Sequence, residues 1–179
     1  MSRRAGAAAL LAALLLTACA SVPQDTAPRG ETLAGRLAVR VEGSDGAAPR
    51  SENAAFELQG DPRAGVLSLS TPLGSVLAQA RWAPGSVVLA TPQGDRSFED
   101  LDALTREVLG ESVPVAALFD WLRGRPWPGA PSTAGLASAE PGFAQLGWQV
   151  SLARFDTGWI VARRERAPAV TVRAKLDRP

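Results

Sequence analysis

Apolar and polar residues alternate in short segments along most of the chain, and this period of two restricts the possible folds more than any other feature. In residues 37–41, for example, Leu37, Val39 and Val41 are separated by an alanine and an arginine. Because successive side chains of a β-strand point to opposite faces, such a segment is typical of a half-buried strand. The same alternation recurs in residues 54–59, 65–70, 76–82, 148–153 and 170–177. Turns rich in glycine and proline separate the early segments, which predicts an antiparallel meander that curls toward a barrel or a sandwich.

The period changes to that of a helix near residue 97. Apolar residues from Phe98 to Leu109 recur at helical spacing, Ser97 fits an N-cap, and Gly110 fits the C-terminal end. This pattern predicts one amphipathic helix directly after the first group of strands.

A second helix is predicted from Pro114 to Gly124, since proline fits the first turn of a helix and glycine its end. Trp121 lies at the edge of its apolar stripe, and residues 125–129 are expected to form a rigid, exposed loop. The predicted fold is therefore mainly β with a helical insertion (α+β). One curved antiparallel sheet carries helices over one of its faces.

The first 18 residues have the order of segments that characterises a secretory signal peptide. Two arginines precede an apolar run that ends at Leu16 and is shorter than the about 20 residues needed to span a bilayer. The segment Leu16-Thr17-Ala18-Cys19 resembles the bacterial lipobox, in which the cysteine is acylated and becomes the first mature residue. We predict a lipoprotein signal peptide over residues 1–18 and a lipidated, flexible tether over residues 19–30. An ordinary signal peptide with a chance cysteine is the alternative.

The residues around Cys19 also indicate where the anchor is inserted. A triacylated terminus buries several chains at about 0.8 kcal/mol per CH₂, so the anchor is effectively permanent. Ala20 follows the cysteine, whereas an aspartate at that position usually signals retention in the inner membrane. We therefore expect a lipid-anchored protein of the outer membrane that faces the periplasm.

Composition excludes several classes of enzyme and ligand. The chain contains no histidine and no tyrosine, and Cys19 is its single cysteine. Ser-His and Cys-His nucleophiles and the common metal sites are thereby excluded, and no nucleotide-binding motif is present. Of 19 basic residues the signal peptide removes two, so 17 face 18 acidic ones in the mature chain. Such a balance gives no basic field for nucleic acid, and we predict no cofactor, no metal and no nucleic-acid partner.

Three acidic residues at the start of the first predicted helix, Glu99, Asp100 and Asp102, have two interpretations. They are either a catalytic carboxylate site or residues that interact favourably with the positive end of the helix macrodipole. The second interpretation explains their position without any activity. We predict that the protein is not an enzyme, with a carboxylate-only hydrolase as the enzymatic alternative.

The apolar residues of the strands and helices also have two interpretations. A curved sheet with a helical cover encloses either a packed core or an apolar cavity for acyl chains, and periodicity alone favours the core. The candidates for a cavity lining are Leu37, Val39, Phe56, Leu58, Leu67, Leu69, Trp82, Leu104, Leu118, Leu122, Trp148 and Val150.

A leucine stands at the tip of the turn Pro72-Leu73-Gly74, where a polar residue is more usual. A single exposed leucine is common on protein surfaces and often has no function. The alternative is that Leu73 is a small wedge that enters a membrane or contacts a lipid.

Several of these segments together resemble the outer-membrane lipoprotein receptor family LolB. The lipobox fits, as do Gly35-Arg36-Leu37-Ala38-Val39 and the segment from Leu67 to Leu77. The most specific match runs from Val113-Pro114 through Trp121-Leu122-x-Gly124-x-Pro126, and Phe143-x-Gln145-x-Gly147-Trp148-x-Val150 completes it. One departure is the C-terminus, Asp177-Arg178-Pro179, where members of the family often carry a last tryptophan.

The resemblance implies a half-barrel domain over residues 31–179, in which a single curved, unclosed antiparallel β-barrel and a helical lid enclose an apolar cavity. It also implies that the protein, as a monomer, accepts acylated lipoproteins from a periplasmic carrier like LolA and inserts them into the lipid of the outer membrane. The leucine corresponding to Leu73 assists that delivery in the family. An anchored envelope scaffold with a solid core is the alternative.

Overall fold

The computed structural model of the chain describes residues 32–43, 48–135 and 140–177. The predicted signal peptide (1–18), the lipidation site Cys19 and the tether (19–30) lie outside the described residues.

The N-terminal half of the chain is a six-stranded antiparallel meander. Each strand pairs with the next through a short connection. The strands are β1 (Leu33–Val41), β2 (Arg50–Gly60), β3 (Gly65–Ser70), β4 (Val76–Ala83), β5 (Ser86–Thr91) and β6 (Gly94–Phe98). In β4 the predicted alternation is confirmed, since Ala80 and Trp82 are buried while Leu77 is exposed.

The C-terminal half contributes the remaining strands of the same sheet. They are β7 (Ser132–Ala134), β8 (Gly142–Gln145), β9 (Trp148–Ser151), β10 (Trp159–Arg164) and β11 (Val170–Leu176). The order across the sheet is β6-β5-β4-β3-β2-β1-β11-β10-β9-β8-β7, all neighbours being antiparallel. Strands β6 and β7 form its two edges, so the sheet is not closed. The predicted single, unclosed antiparallel sheet is confirmed.

Two helices connect the halves, α1 (Leu101–Leu109) and α2 (Val115–Trp121). The predicted N-cap of α1 is wrong by three residues, because Ser97 pairs with Val88 in the sheet. Asp100 caps the helix instead, accepting a hydrogen bond from the backbone N–H of Ala103 at 2.6 Å. Gly110 ends the helix as predicted, with a φ of 82° in the left-handed region.

The segment after α2 is more ordered than the sequence predicts. Strands β7 and β8 lie where no strand was expected, and the loop of residues 125–129 is not simply exposed, since Trp127 packs against the core. Trp121 is not at the edge of its helix, because only 1% of its surface is exposed. Both tryptophans are drawn inward by contacts from distant strands, which a local pattern does not contain.

The core lies between the concave face of the sheet and the two helices. On β11 the four apolar residues from Val170 to Leu176 face it and the residues between them face outward. Gly65 in β3 allows close packing at one point, because a Cβ atom there would overlap the indole ring of Trp82. The helices therefore cover one face only, as the insertion in the sequence predicts.

Candidate functional site

An apolar cavity of about 430 Å³ lies between the concave face of the sheet and helix α1. The sheet side of its wall comes from β1 to β6 and from β11, and includes Leu37, Leu67 and Leu69. The helical side includes Leu101, Leu104, Val108 and Leu109 of α1, with Val115 and Leu118 of α2. Its volume lies within the about 300–1,000 Å³ of typical small-molecule pockets.

Six of the twelve residues predicted as candidates for a cavity lining lie on this wall: Leu37, Val39, Leu67, Leu69, Leu104 and Leu118. The other six are buried in the core and are not among the wall residues: Phe56, Leu58, Trp82, Leu122, Trp148 and Val150. Among the candidates on strands, those that line the cavity lie in β1 and β3, whereas those in the core lie in β2, β4 and β9.

Short side chains explain why the space beneath α1 is not filled. Ala54, Ala78 and Ala80 lie on the sheet side of the wall, where longer residues would reach the helix. Beneath α2, in contrast, aromatic side chains meet at close range. The rings of Trp82 and Phe119 are 5.7 Å apart, centroid to centroid, in an edge-to-face arrangement.

Gln145 fixes the position of α2 over the sheet. Its side-chain oxygen accepts hydrogen bonds from Nε1 of Trp121 at 2.8 Å and from the backbone N–H of Trp127 at 2.9 Å. Its side-chain nitrogen donates to the carbonyls of Trp127 and Ala130, both at 2.7 Å. Because two donor and two acceptor contacts use the full capacity of an amide, this buried group is completely satisfied.

Exposed residues of the wall mark the mouth of the cavity. Glu52, Asn53 and Gln93 line it and are exposed, as is Arg96 of β6. The guanidinium of Arg96 forms an ion pair with Glu107 of α1 at 2.9 Å, which joins the edge of the sheet to the helix. Both side chains are more than half exposed, so this link is weak.

A second ion pair joins the connection between the helices to the packed end of the sheet. Arg164 of β10 donates to the carboxylate of Glu111 at 2.5 Å and to the carbonyl of Pro168 at 3.2 Å. Its guanidinium also lies 5.7 Å from the centre of the Trp148 ring. This pair is largely buried, in contrast to the pair at the mouth.

Leu73 stands at the tip of the β3–β4 turn, and 96% of its surface is exposed. The turn is held by backbone hydrogen bonds from Thr71 to Ser75 and from Gly74 to Thr71, each 2.9 Å long. Gly74 has a φ of 87°, which a glycine adopts without strain. No charged residue occurs between residues 64 and 80, so the tip is an uncharged, preformed projection.

The turn and the cavity are directly connected. Leu69 and Ala78, which are paired below the turn, both line the cavity wall. Above this pair the register shifts, and the partly exposed Leu77 is the additional residue on β4. The two strands that carry this part of the wall, β3 and β4, are thus joined directly by the turn that carries Leu73.

The acidic residues at the start of α1 have structural partners. Asp100 is the N-cap, and Asp102 accepts a hydrogen bond from the hydroxyl of Ser112 at 2.9 Å. Within the described residues no group of three or more potential metal ligands is present. No helix in the described part of the chain is long and apolar enough to cross a membrane.

A family model described as "Outer membrane lipoprotein LolB" matches residues 32–175, which is most of the chain. The chain belongs to the LolB family of outer-membrane lipoproteins. A LolB from Bordetella pertussis is 35% identical over 92% of this chain and 88% of its own. Those of Bordetella petrii and Cupriavidus pinatubonensis are each 36% identical, over 92% and 94% of this chain and 88% and 83% of their own. Membership of the LolB family confirms the prediction that the protein is not an enzyme.

Gln145 is the residue whose importance sequence reasoning missed. The sequence marks Phe143-x-Gln145 only as part of the resemblance to the LolB family. Gln145 is the last residue of β8, a strand that the sequence does not predict, so no local pattern identifies this glutamine as buried.

Proposed function

We propose that this protein is an outer-membrane lipoprotein receptor that takes acylated lipoproteins from a LolA-like periplasmic carrier and inserts them into the outer membrane. Membership of the LolB family supports the receptor role. The observation that carries the finer proposal is the apolar cavity beneath α1, because two strands of its wall, β3 and β4, are joined by a turn with an exposed leucine.

The acyl chains of a client are held by the wall of the cavity. Its surface is almost entirely aliphatic, so each methylene moved from water into it contributes about 0.8 kcal/mol. The chains pass from one apolar cavity to another without crossing water, and nucleotide hydrolysis is not required. Transfer proceeds from the carrier to the membrane because the acyl chains bind more tightly in the receptor than in the carrier and are more stable still in the bilayer.

The anchor at Cys19 and the turn at Leu73 act at the same membrane. Cys19 carries the lipid that holds the protein on the periplasmic side of the outer membrane, and residues 19–30 tether the domain to it. Pro72, Leu73 and Gly74 then contact the bilayer and open a path for the client. An uncharged, rigid tip suits this role because no charge has to be desolvated and little order is lost on insertion.

The alternative of an anchored scaffold requires a solid core. A cavity of about 430 Å³ with aliphatic walls argues against it. Binding of a hydrophobic dye separates the two functions: a receptor binds the dye and loses it to a lipoprotein acyl chain, whereas a scaffold binds none.

The transfer of a radiolabelled lipoprotein from the carrier to this protein, and then to liposomes, tests the proposal. We expect the wild type to accept and deliver the client, and Leu73→Glu to accept it but fail to deliver it. Leu146→Glu is the matched control, since Leu146 is also an exposed leucine in a turn between two strands. A wild type that takes nothing from the carrier would overturn the receptor function. Equal delivery by Leu73→Glu and the control would overturn the role of the turn.

A further inference from the structure

A row of side chains crosses the convex face of the sheet, on the side opposite the cavity. In the strand register Trp159 is paired with Lys175, Lys175 with Arg36, Arg36 with Ala55, and Ala55 with Ser70. Paired residues of antiparallel strands project from the same face, so the row places two cations next to each other and next to an indole ring.

The cations of this row have no acidic partner in the described part of the domain. Arg36 forms no ion pair within residues 32–43, 48–135 and 140–177, and neither does Arg173, which pairs with Ala38 beside the row. Lys175 donates there only to the neutral carbonyl of Thr157. Like charges directly opposite each other, as in Arg36 and Lys175, are unfavourable in a sheet. The cluster is therefore suited to an anion that is not part of this domain.

Neighbouring charges show that the lack of partners is local. Arg40, four residues further along β1, donates to the carboxylate of Glu42 at 2.7 Å, and this hydrogen bond lowers the pKa of Glu42. The acidic positions nearest to the row on the same strands are Glu57, which accepts from Gln59, and Asp177. Neither forms an ion pair with the row within the described residues.

The row lies in a groove of about 520 Å³ on this face. The short side chains of Ala38 and Ala55 form the base of the groove. Its other lining residues include three cations and one indole ring: Arg36, Arg173, Lys175 and Trp159. A further cation is close by, since the guanidinium of Arg154 lies 5.4 Å from the centre of the Trp159 ring. Guanidinium groups bind phosphate oxygens in bidentate fashion, and a partly exposed indole ring suits a membrane–water interface.

The groove reaches the turn that carries Leu73. Pro72 lines the groove together with the cations, and Ser70 at the end of the row immediately precedes the turn. Strands in a sheet are about 4.8 Å apart, so β1 and β3 are separated by about 10 Å at Arg36 and Ser70. This short separation allows the cations to contact lipid headgroups when Leu73 enters the acyl region of a bilayer.

We propose that this groove binds the phosphate of an anionic phospholipid headgroup at Arg36, Arg173 and Lys175, and thereby orients the domain while Leu73 is inserted. The inference rests on the proposed membrane contact of Leu73. It adds a second, electrostatic contact on the convex face and assigns the side of the domain that faces the headgroups. With the groove held in this way, the turn that begins at Pro72 is kept at the membrane surface.

Photolabelling of the full-length, lipidated protein in phosphatidylethanolamine vesicles tests the site. The probe is a trace of phosphatidylglycerol that carries a photoreactive group on its headgroup, and the labelled residues are mapped by mass spectrometry. We expect labels on β10, β11 and the turn that contains Pro72. Each charge removed should lower labelling about fivefold, so Arg36→Gln combined with Arg173→Gln should lower it about 25-fold. Arg63→Gln, an exposed cation at the opposite end of β3, should change it less than about twofold.

Three results would overturn the headgroup site. One is equal labelling by a photoreactive phosphatidylcholine, which is zwitterionic. Another is an equal loss in Arg63→Gln, which would indicate only the overall charge. The third is binding of inorganic phosphate that Arg36→Gln abolishes, together with lipid labelling that Arg36→Gln leaves at the wild-type level. That result would make the ligand a free phosphate.

Lipoprotein delivery to vesicles of phosphatidylethanolamine alone separates this inference from the proposed function. If Leu73→Glu blocks delivery while the arginine variants label normally, the receptor function stands and the headgroup site is wrong. If the wild type delivers nothing, the receptor function itself fails.

Discussion

The space beneath α2 is filled by aromatic rings, whereas the space beneath α1 is hollow, although both helices cover the same sheet. Under α2, Trp121 is 6.0 Å from Trp148 and 6.4 Å from Phe143, measured between ring centroids. Under α1 the sheet presents alanines and half-buried leucines that do not reach the helix. The fold thus gains its rigidity at one end and keeps an open volume at the other.

This division explains how a small domain keeps a cavity without losing its structure. A void in a core costs stability because its lining atoms lose contacts. Here a complete hydrogen-bond set at Gln145 and a dense aromatic cluster offset that loss in a separate region. The comparison predicts that equivalent substitutions in the two regions have very different effects.

Truncation of one large side chain in each region should give the largest difference. Phe119→Ala should lower the free energy of unfolding by about 3–5 kcal/mol, because the ring is 99% buried against Trp82. Leu69→Ala should lower it by only about 1 kcal/mol, since Leu69 is half-buried and already borders empty space. Urea denaturation measures both, and equal losses would contradict the division.

Loss of the amide at Gln145 should have the next largest effect. Gln145→Ala leaves the indole N–H of Trp121 and the backbone N–H of Trp127 without partners, which should cost about 3 kcal/mol. Gln149→Ala, an exposed glutamine on the next strand, is the control and should change stability by less than about 0.5 kcal/mol. A loss below about 1 kcal/mol at Gln145 would mean that the packing alone holds α2.

The two ion pairs that fasten the helices should differ in the same direction. Glu111→Gln removes the partner of the buried Arg164 and should cost about 2 kcal/mol. Glu107→Gln breaks the exposed pair with Arg96 and should cost less than about 1 kcal/mol, with the loss diminishing at high salt. Thermal unfolding at low and high ionic strength compares them; a salt-sensitive loss at Glu111 would show that its pair is solvated.

Filling the cavity should have the smallest effect on stability and a large effect on binding. Ala78→Phe places a ring into the open volume, so the free energy of unfolding should change by less than about 1 kcal/mol while affinity for a hydrophobic dye falls at least about tenfold. Ala162→Phe places the same ring into the packed region, where Ala162 is 2% exposed, and overpacking should cost about 1–3 kcal/mol or more. Undiminished dye binding in Ala78→Phe would place the dye elsewhere.

The sheet was predictable from sequence wherever one face of a strand is fully buried. The alternation in residues 170–177 predicted β11 because its apolar residues all face the core. Strands β7 and β8 were missed because they are only three and four residues long and rich in small residues. Ser97 was misassigned because it also fits a helix N-cap, and pairing with Val88 overrides that local preference.

The division between core and cavity was not predictable from periodicity. Alternation tells which face a side chain is on, but not what lies opposite it, so Leu67 and Phe56 had the same pattern and different surroundings. Only the LolB resemblance favoured a cavity. The exposure of Leu73, in contrast, follows from its place in a Pro-Leu-Gly turn.

Locating the acyl chains of a bound client tests whether the cavity beneath α1 is the binding site. The methyl groups of the protein are labelled with ¹³C, and a lipoprotein that carries a spin label on one acyl chain is bound. We expect paramagnetic broadening of the methyl signals of Leu67, Leu69 and Leu104, which line the cavity, while those of Val150 and Ile160 in the packed region stay sharp. Broadening confined to the packed region, or none in a complex that has formed, would show that the acyl chains are not held in the cavity beneath α1.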